Sequence, residues 1–320
     1  GLDELAITGS SPGFDWAAFA ACDGAAGLRS LLVPRAVLAD AHAEALASAP
    51  HLRGLRRVHA DGRALTARGL AALARLPLRR LDLYPAAFAL DALERLADGP
   101  CRDTLEELRI GRFPAEDAFP AMLDLPRLRR LEMALGPSEA QGLARSGLMG
   151  RLDLLDTMAN APLPRLEEVL GTGPGPRSLS LRWRALRDTG AAALAGWPGL
   201  ARVRCLDLSY NGIGRAGIVA LAESPHATAL EALSLSGNSQ EATPALIRSP
   251  VGQRLAWLDV SDVPGQREIA QALLDAPPPR LRELRLDYRA AREIGPRGMA
   301  ALRAALPDCA IGQPSWRVEE

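Results

Sequence analysis

Apolar positions recur along this chain in a short, repeated rhythm. "LDLSYN" at Leu206–Asn211 returns 27 residues later as "LSLSGN" at Leu233–Asn238. We take the second Leu of each L-x-x-L-x-L as an anchor. The clear anchors are Leu179, Leu206, Leu233, Leu258 and Leu284, spaced 27, 27, 25 and 26 residues apart. Weaker anchors fall at Leu5, Leu31, Val58, Leu81, Leu108, Leu131 and Leu152, spaced 26, 27, 23, 27, 23 and 21, with 27 more to Leu179. The L-x-L alternation predicts a short strand with Leu inward and the intervening residue outward.

The second half of each period predicts a helix. An apolar residue, a small residue four positions on and a Leu four beyond that share one helical stripe. Examples are Ile213–Gly217–Leu221, Leu186–Gly190–Leu194, Leu65–Gly69–Leu73 and Phe88–Ala92–Leu96. Gly inside a helix costs roughly 1 kcal/mol against Ala, so its return in one column signals a packing need. Helix stops follow at Pro50, Pro77, Pro198, Pro225 and Pro307.

A period in the twenties with this pattern is the signature of a repeat array, and the chain resembles the leucine-rich-repeat family over its full length. It is most similar to the ribonuclease-inhibitor-like class found in bacterial proteins. The resemblance implies an α/β solenoid of about twelve repeats, a curved rod with a parallel sheet on its concave face and helices on its convex face. At about 4.8 Å per strand the inner arc is about 55 Å long. We expect residues 1–320 to form a single solenoid domain with an irregular repeat near 150–178, where Met158–Ser178 carries four Pro and three Gly. The family's buried loop Asn appears at Asn211 and Asn238. Arg184, Val263 and Arg289 occupy the same column, and their turns must satisfy the backbone otherwise.

Composition narrows the function. Acidic and basic residues balance at 38 each, which argues against a nucleic-acid or anionic-membrane partner, and no apolar run reaches the length of a membrane span. All 38 basic residues are Arg. Codon usage of a high-GC bacterial genome accounts for this better than selection against amine modification, because Ala and Leu are enriched as well. The chain opens on Gly1, which reads as a trimmed or processed end. Cys22, Cys101, Cys205 and Cys309 stand far apart, which fits a reducing cytoplasm with neither disulfide nor zinc site.

No catalytic set, metal site or cofactor motif emerges. His42, His51, His59 and His226 lack partners at ligand spacing, and His42 falls in the small-residue helix column as a packing residue. "GTGPGPRS" (171–178) lacks the Lys-Ser/Thr ending of a phosphate loop, and Pro174 and Pro176 remove backbone donors. The outward strand residues, including Asp82, Asp153, Asp207, Asp259 and Arg285, read as a solvated face. Arg57, Arg80, Arg130 and Arg151 precede four middle anchors, as either solvated residues or a patch for an anionic partner.

The most informative column lies two residues past each strand and reads Trp183, Tyr210, Gly237, Asp262, Tyr288. Three of only 13 aromatic residues fall in it, and Trp257 stands on a strand nearby. These rings are either binding anchors or packing over the loops. The expected partner-binding set is Trp183, Tyr210, Trp257 and Tyr288, surrounded by Arg182, Asp207, Asp259, Arg285 and Asp287. The leading reading is a non-catalytic protein-interaction module, the recognition or sensor arm of a larger bacterial signalling or defence protein. The alternative is a stand-alone regulator or inhibitor that binds one enzyme on its concave face. A fold alone assigns neither.

Overall fold

The computed structural model describes residues 3–7, 13–88, 92, 94–112, 125–136, 142–143, 147–158, 163, 166, 170–239 and 241–312. Contacts within the chain define two compact units, Gly1–Asp156 and Thr157–Glu320. The division falls inside the stretch expected to be irregular, much of which lies outside the described residues.

The first unit carries strands β1 (Glu4–Ala6), β2 (Ser30–Ala39), β3 (Arg57–Ala64), β4 (Arg80–Asp82), β5 (Glu107–Arg112), β6 (Arg130–Ala134) and β7 (Leu154–Asp156). Each pairs in parallel with the next. Its helices include α1 (Trp16–Ala20), α2 (Asp40–Ser48) and α3 (Ala67–Ala74). The second unit carries β8 (Ser178–Ser180), β9 (Cys205–Asp207), β10 (Ala232–Ser234), β11 (Trp257–Val260), β12 (Glu283–Leu286) and β13 (Ala310–Gly312), again parallel in sequence order. Helices α4 (Arg187–Ala195), α5 (Arg215–Ala222), α6 (Thr243–Arg248), α7 (Gln266–Asp275) and α8 (Ala290–Ala305) alternate with them. The fold is an open α/β leucine-rich-repeat solenoid.

The anchors pair directly with one another. Leu5, Leu31, Val58, Leu81, Leu108 and Leu131 are in register in the first unit. Leu179, Leu206, Leu233, Leu258 and Leu284 are in register in the second. The anchor expected at Leu152 is displaced. Leu155 pairs with Leu131, while Leu152 occupies the buried column three residues earlier, with Leu55, Leu78, Leu105 and Leu128. Thr157 stands where the final Leu of the motif belongs, so the sequence pattern slipped by three. Asp153 and Arg151 are therefore not strand residues, and Arg151 ends a 3-10 turn. A thirteenth strand also extends the expected twelve. Ile311 pairs with Leu284, but "CAIGQ" has no L-x-L to reveal it.

The helix stripe is buried as expected, including Leu65, Leu73, Leu186, Leu194, Ile213 and Leu221. Its small column has a sharper cause than close approach to the sheet. Asp188 Oδ1 accepts hydrogen bonds from the Gly214 and Gly217 N–H groups of the next repeat, at 2.6 and 2.9 Å. Asp40 likewise accepts from the Thr66 N–H and hydroxyl, at 2.8 and 2.6 Å. A Cβ on Gly217 would approach Asp188 Oδ1 at 2.9 Å, and one on Gly69 would collide with the Asp40 carboxylate. In these two pairs one helix thus lends a carboxylate to the free N–H groups at the start of the next. Burial raises the Asp40 carboxyl, but the hydrogen bonds from Thr66 and Gly69 hold it below the ordinary carboxylate value. His42 is a packing residue, as expected. Its ring stacks on Trp16 and its Nδ1 accepts the Ala39 N–H.

The amide column holds the loops. Asn211 Nδ2 donates to the carbonyls of Leu181, Leu208 and Ser209, and its Oδ1 accepts from the Arg184 and Leu186 N–H groups. Asn238 repeats the pattern one unit on, with Leu208, Leu235 and Ser236 as acceptors and Asn211 and Ile213 as donors. Where Val263 interrupts the column, Gln266 takes over from the start of α7. It is fully buried, donates to the Val260 and Val263 carbonyls, and accepts from the Asp287 N–H. At Arg184, 0% exposed, the guanidinium donates to the carbonyls of Thr157 and Met158.

Two substitutions check this scheme. Asn211→Ala and Gln266→Ala should each lower stability by about 1–3 kcal/mol, because both strand buried backbone groups. Urea midpoints read this against the surface control Glu268→Ala, and parity with that control would contradict the assignment. Asp188→Ala should cost about 0.5–2 kcal/mol as a lost helix cap, measured by the same midpoints.

Candidate functional site

The two units carry different chemistry on the sheet face away from the helices. In the first unit a ladder of polar and charged side chains crosses the strands. The His59 Nε2 and Arg109 Nη1 both lie 3.3 Å from Asp82 Oδ2, and Arg109 Nε lies 3.1 Å from Glu132. A parallel row joins Arg80 and Arg130 to Glu107 at 3.4 and 3.5 Å. Of the Arg-rich middle column, Arg80 and Arg130 therefore meet an acid on a neighbouring strand. The exposed Tyr84 ring covers Arg109, with 5.3 Å to the ring centre. Burial holds His59 below its ordinary value; Asp82 opposes the shift, while Arg109 and Arg57 add to it. Burial raises Glu132 against the attraction of Arg109.

In the second unit the corresponding residues are buried, not solvated. Asp207 is 7% exposed and Asp259 1%. Each carboxylate accepts the N–H and hydroxyl of the serine two residues on, Ser209 and Ser261. Ser209 meets Ser234 at 2.8 Å and Ser261 meets Ser236 at 3.1 Å, which links adjacent strands. Arg285 is buried as well. Its Nε donates to Glu283 at 2.8 Å, and its guanidinium lies 5.1 Å from the centre of the half-buried Trp257 ring. Asp207, Asp259 and Arg285 thus belong to a hydrogen-bonded floor. Asp287 is half-buried and takes the Arg289 N–H.

The aromatic column forms a rim above this floor. Trp183, Tyr210, Gly237 and Asp262 all adopt positive φ, at 60°, 56°, 68° and 51°, so one left-handed turn follows each of these strands. Tyr210 is half-buried. Its ring passes over Gly237, where any Cβ would strike it, and its hydroxyl donates to Asp262. That bond, with burial, raises the Tyr210 hydroxyl pKa. Trp183 stacks on Tyr210, with ring centres 4.2 Å apart and planes 5° apart, yet stays 57% exposed. Tyr288 is 61% exposed and carries the Arg289 guanidinium 4.8 Å from its ring centre. Arg182 is exposed beside Trp183. The structure thus brings Trp183 and Tyr210 together and places Trp257 with Arg285. Sequence reading missed the role of Asp262, although it stands in the same column, and missed Arg187, Arg289 and Arg292.

Chemistry is sparse elsewhere. The glycine-rich 171–175 stretch packs under Trp197, whose Nε1 donates to the Gly171 carbonyl at 3.1 Å, and a Cβ on Gly175 would strike that ring. Burial pushes the Cys101 thiol up to about 12 and the Cys309 thiol up to about 11. Among the described residues no group of three His, Cys, Asp or Glu side chains is arranged to hold a metal. Among them, too, no helix is long and apolar enough to cross a membrane.

Residues 203–222 match the leucine-rich repeat family model. They cover β9, its loop and α5, the unit whose Asn211 ladder is complete. A leucine-rich-repeat protein of Leptospira interrogans (LIC12759) aligns over 91% of this chain and 73% of its own, at 17% identity and a TM-score of 0.46. A yeast Rad7–Elc1 complex aligns over 78% of this chain and 79% of its own, at 15% identity and a TM-score of 0.35. No curated protein sequence matches the chain.

The ladder of the first unit gives a pH prediction. A depressed His59 value means that the folded chain favours neutral imidazole. That contribution to stability is complete above the unfolded value near 6.5 and is lost as pH falls towards the depressed folded value. On acidification from pH 7 to pH 5 the wild type should lose more stability than His59→Gln, as read from urea midpoints. Equal losses would mean that His59 is not desolvated.

Proposed function

We propose that this chain is a non-catalytic protein-interaction module, built as one leucine-rich-repeat domain of the ribonuclease-inhibitor-like class. We read it as the recognition arm of a larger bacterial signalling or defence protein acting in the cytoplasm. The observation that carries the interaction reading is the rim of the second unit. Trp183 and Tyr288 share one repeat column and stay more than half exposed on a rigid scaffold. Rings held this way lose little entropy on binding, and aromatic residues with neighbouring arginines dominate binding energy at interfaces. Trp183 also stands on costly backbone. Trp183, Ala185 and Arg187 are three non-glycine residues with positive φ within five positions, a kind of strain that gathers at functional sites. Tyr210 supports the Trp183 ring, Trp257 packs against Arg285, and Asp207, Asp259, Arg285 and Asp287 line the base of the rim.

Capture from native lysate, with the chain as bait, tests the reading. Trp183→Ala and Tyr288→Ala should each weaken capture by about 2 kcal/mol, or about thirty-fold, while melting temperatures stay near that of the wild type. Lowered melting temperatures with unchanged capture would make the rings packing residues and move the search to the first unit. A reading frame that continues into an effector domain supports the arm. One that closes on this chain supports a stand-alone regulator or inhibitor of a single enzyme.

A further inference from the structure

The rim also specifies what kind of segment it takes. Its acids are already engaged. Asp207 and Asp259 are bonded to serines, and Asp262 receives the Tyr210 hydroxyl. Asp287 takes the Arg289 N–H, and Glu293 takes the Gln266 N–H. The guanidiniums are less occupied. Arg289 Nε donates to the Tyr288 hydroxyl at 2.6 Å, which fixes the plane of the group and leaves its terminal nitrogens as donors. Arg292 lies three residues further along the same helix, so both face one side. These residues, with Tyr288 and Glu293, line an open pocket of about 620 Å³. At the other end of the rim, Arg187 is exposed beside the Trp183 loop. Among the described residues, neither Arg187 nor Arg292 has a carboxylate partner.

The spacing adds a length. Trp183 follows β8 and Tyr288 follows β12, four strand intervals away. At about 4.8 Å each, that is about 19 Å, the reach of about six extended residues. We infer that the rim from Trp183 to Tyr288 receives an extended, acidic segment of a partner protein, with planar or apolar side chains about six residues apart on the two exposed rings and carboxylates on Arg187, Arg289 and Arg292. The inference rests on the interaction reading above. Single-stranded nucleic acid also stacks on rings beside arginines. It suits this rim less well, because a charge on every nucleotide would run past Asp262 and Asp287, whereas a peptide can leave those positions neutral.

The test uses the full chain and three labelled probes read by fluorescence polarisation. One is a twelve-residue Glu peptide with Tyr at its third and ninth positions, Glu outside them and neutral Ser between them. The second has Lys in place of Glu, and the third is a twelve-residue oligothymidylate. The Glu peptide should bind about ten-fold or more tightly than the other two and weaken as salt rises. Trp183→Ala/Tyr288→Ala should weaken it about ten-fold or more. Arg187→Glu/Arg292→Glu changes exposed residues only, so its melting temperature should hold while the order of the Glu and Lys peptides reverses. No binding of the Glu peptide, parity among the probes, or an order unmoved by charge reversal would overturn the inference. If the Glu peptide fails while native capture still depends on Trp183, the interaction reading survives and only the partner chemistry is wrong.

Discussion

Every turn of this fold presents backbone carbonyls and N–H groups that no strand or helix can use, and closure of the next repeat takes them out of water. Burying such a group unpaired costs about 1–3 kcal/mol, and in the second unit side chains reach the turns to pair them. Asn211 and Asn238 do so with one amide that both donates and accepts. Gln266 does the same from a helix start, and Arg184 supplies donors from a guanidinium. The shared requirement is the hydrogen-bond geometry and not the residue type. A family pattern that demands Asn therefore sees two intact turns where, among the described residues of the second unit, four are served by a side chain.

This explains what the sequence made legible and what it hid. Strand positions were readable because burial of one Leu per repeat forces a strict register, and Leu206 and Leu233 stand in it with their alternation intact. The register failed at Leu152 because Thr157 replaces the last Leu and leaves two equivalent starting points three residues apart. Ile311 escaped because "CAIGQ" carries no L-x-L alternation. The aromatic column was readable by position. Which of its rings stays outside was not, since that depends on contacts between repeats: Tyr210 reaches Asp262, 52 residues ahead. The burial of Asp207 and Asp259 was hidden for the same reason. An outward residue in one repeat is covered or bare according to its own loop and the adjacent strand.

The two halves solve one problem in different ways. A parallel strand places the same column of every repeat about 4.8 Å from the next, so like charges would repel along a row. The first unit alternates the sign across Asp82, Arg109 and Glu132. The second interleaves aspartates with serines, and the hydroxyls pass hydrogen bonds between strands. Alternating charge leaves long side chains partly in water and open to salt. Serine and aspartate make a short, buried floor, and the more exposed aromatic rings stand above that floor.

Gly237 gives the second unit a constraint of a different kind. Its backbone needs a left-handed turn, and its missing side chain is the passage through which Tyr210 crosses from its own repeat to Asp262. Trp183 leans on that crossing ring from the other side. Residues in four successive repeats are therefore linked through one absent methyl group. In evolutionary terms the site has an order of events: any larger residue at 237 first displaces Tyr210 and with it the platform under Trp183. Residues 183, 210, 237 and 262 should drift together or not at all, although no two of them are close in sequence.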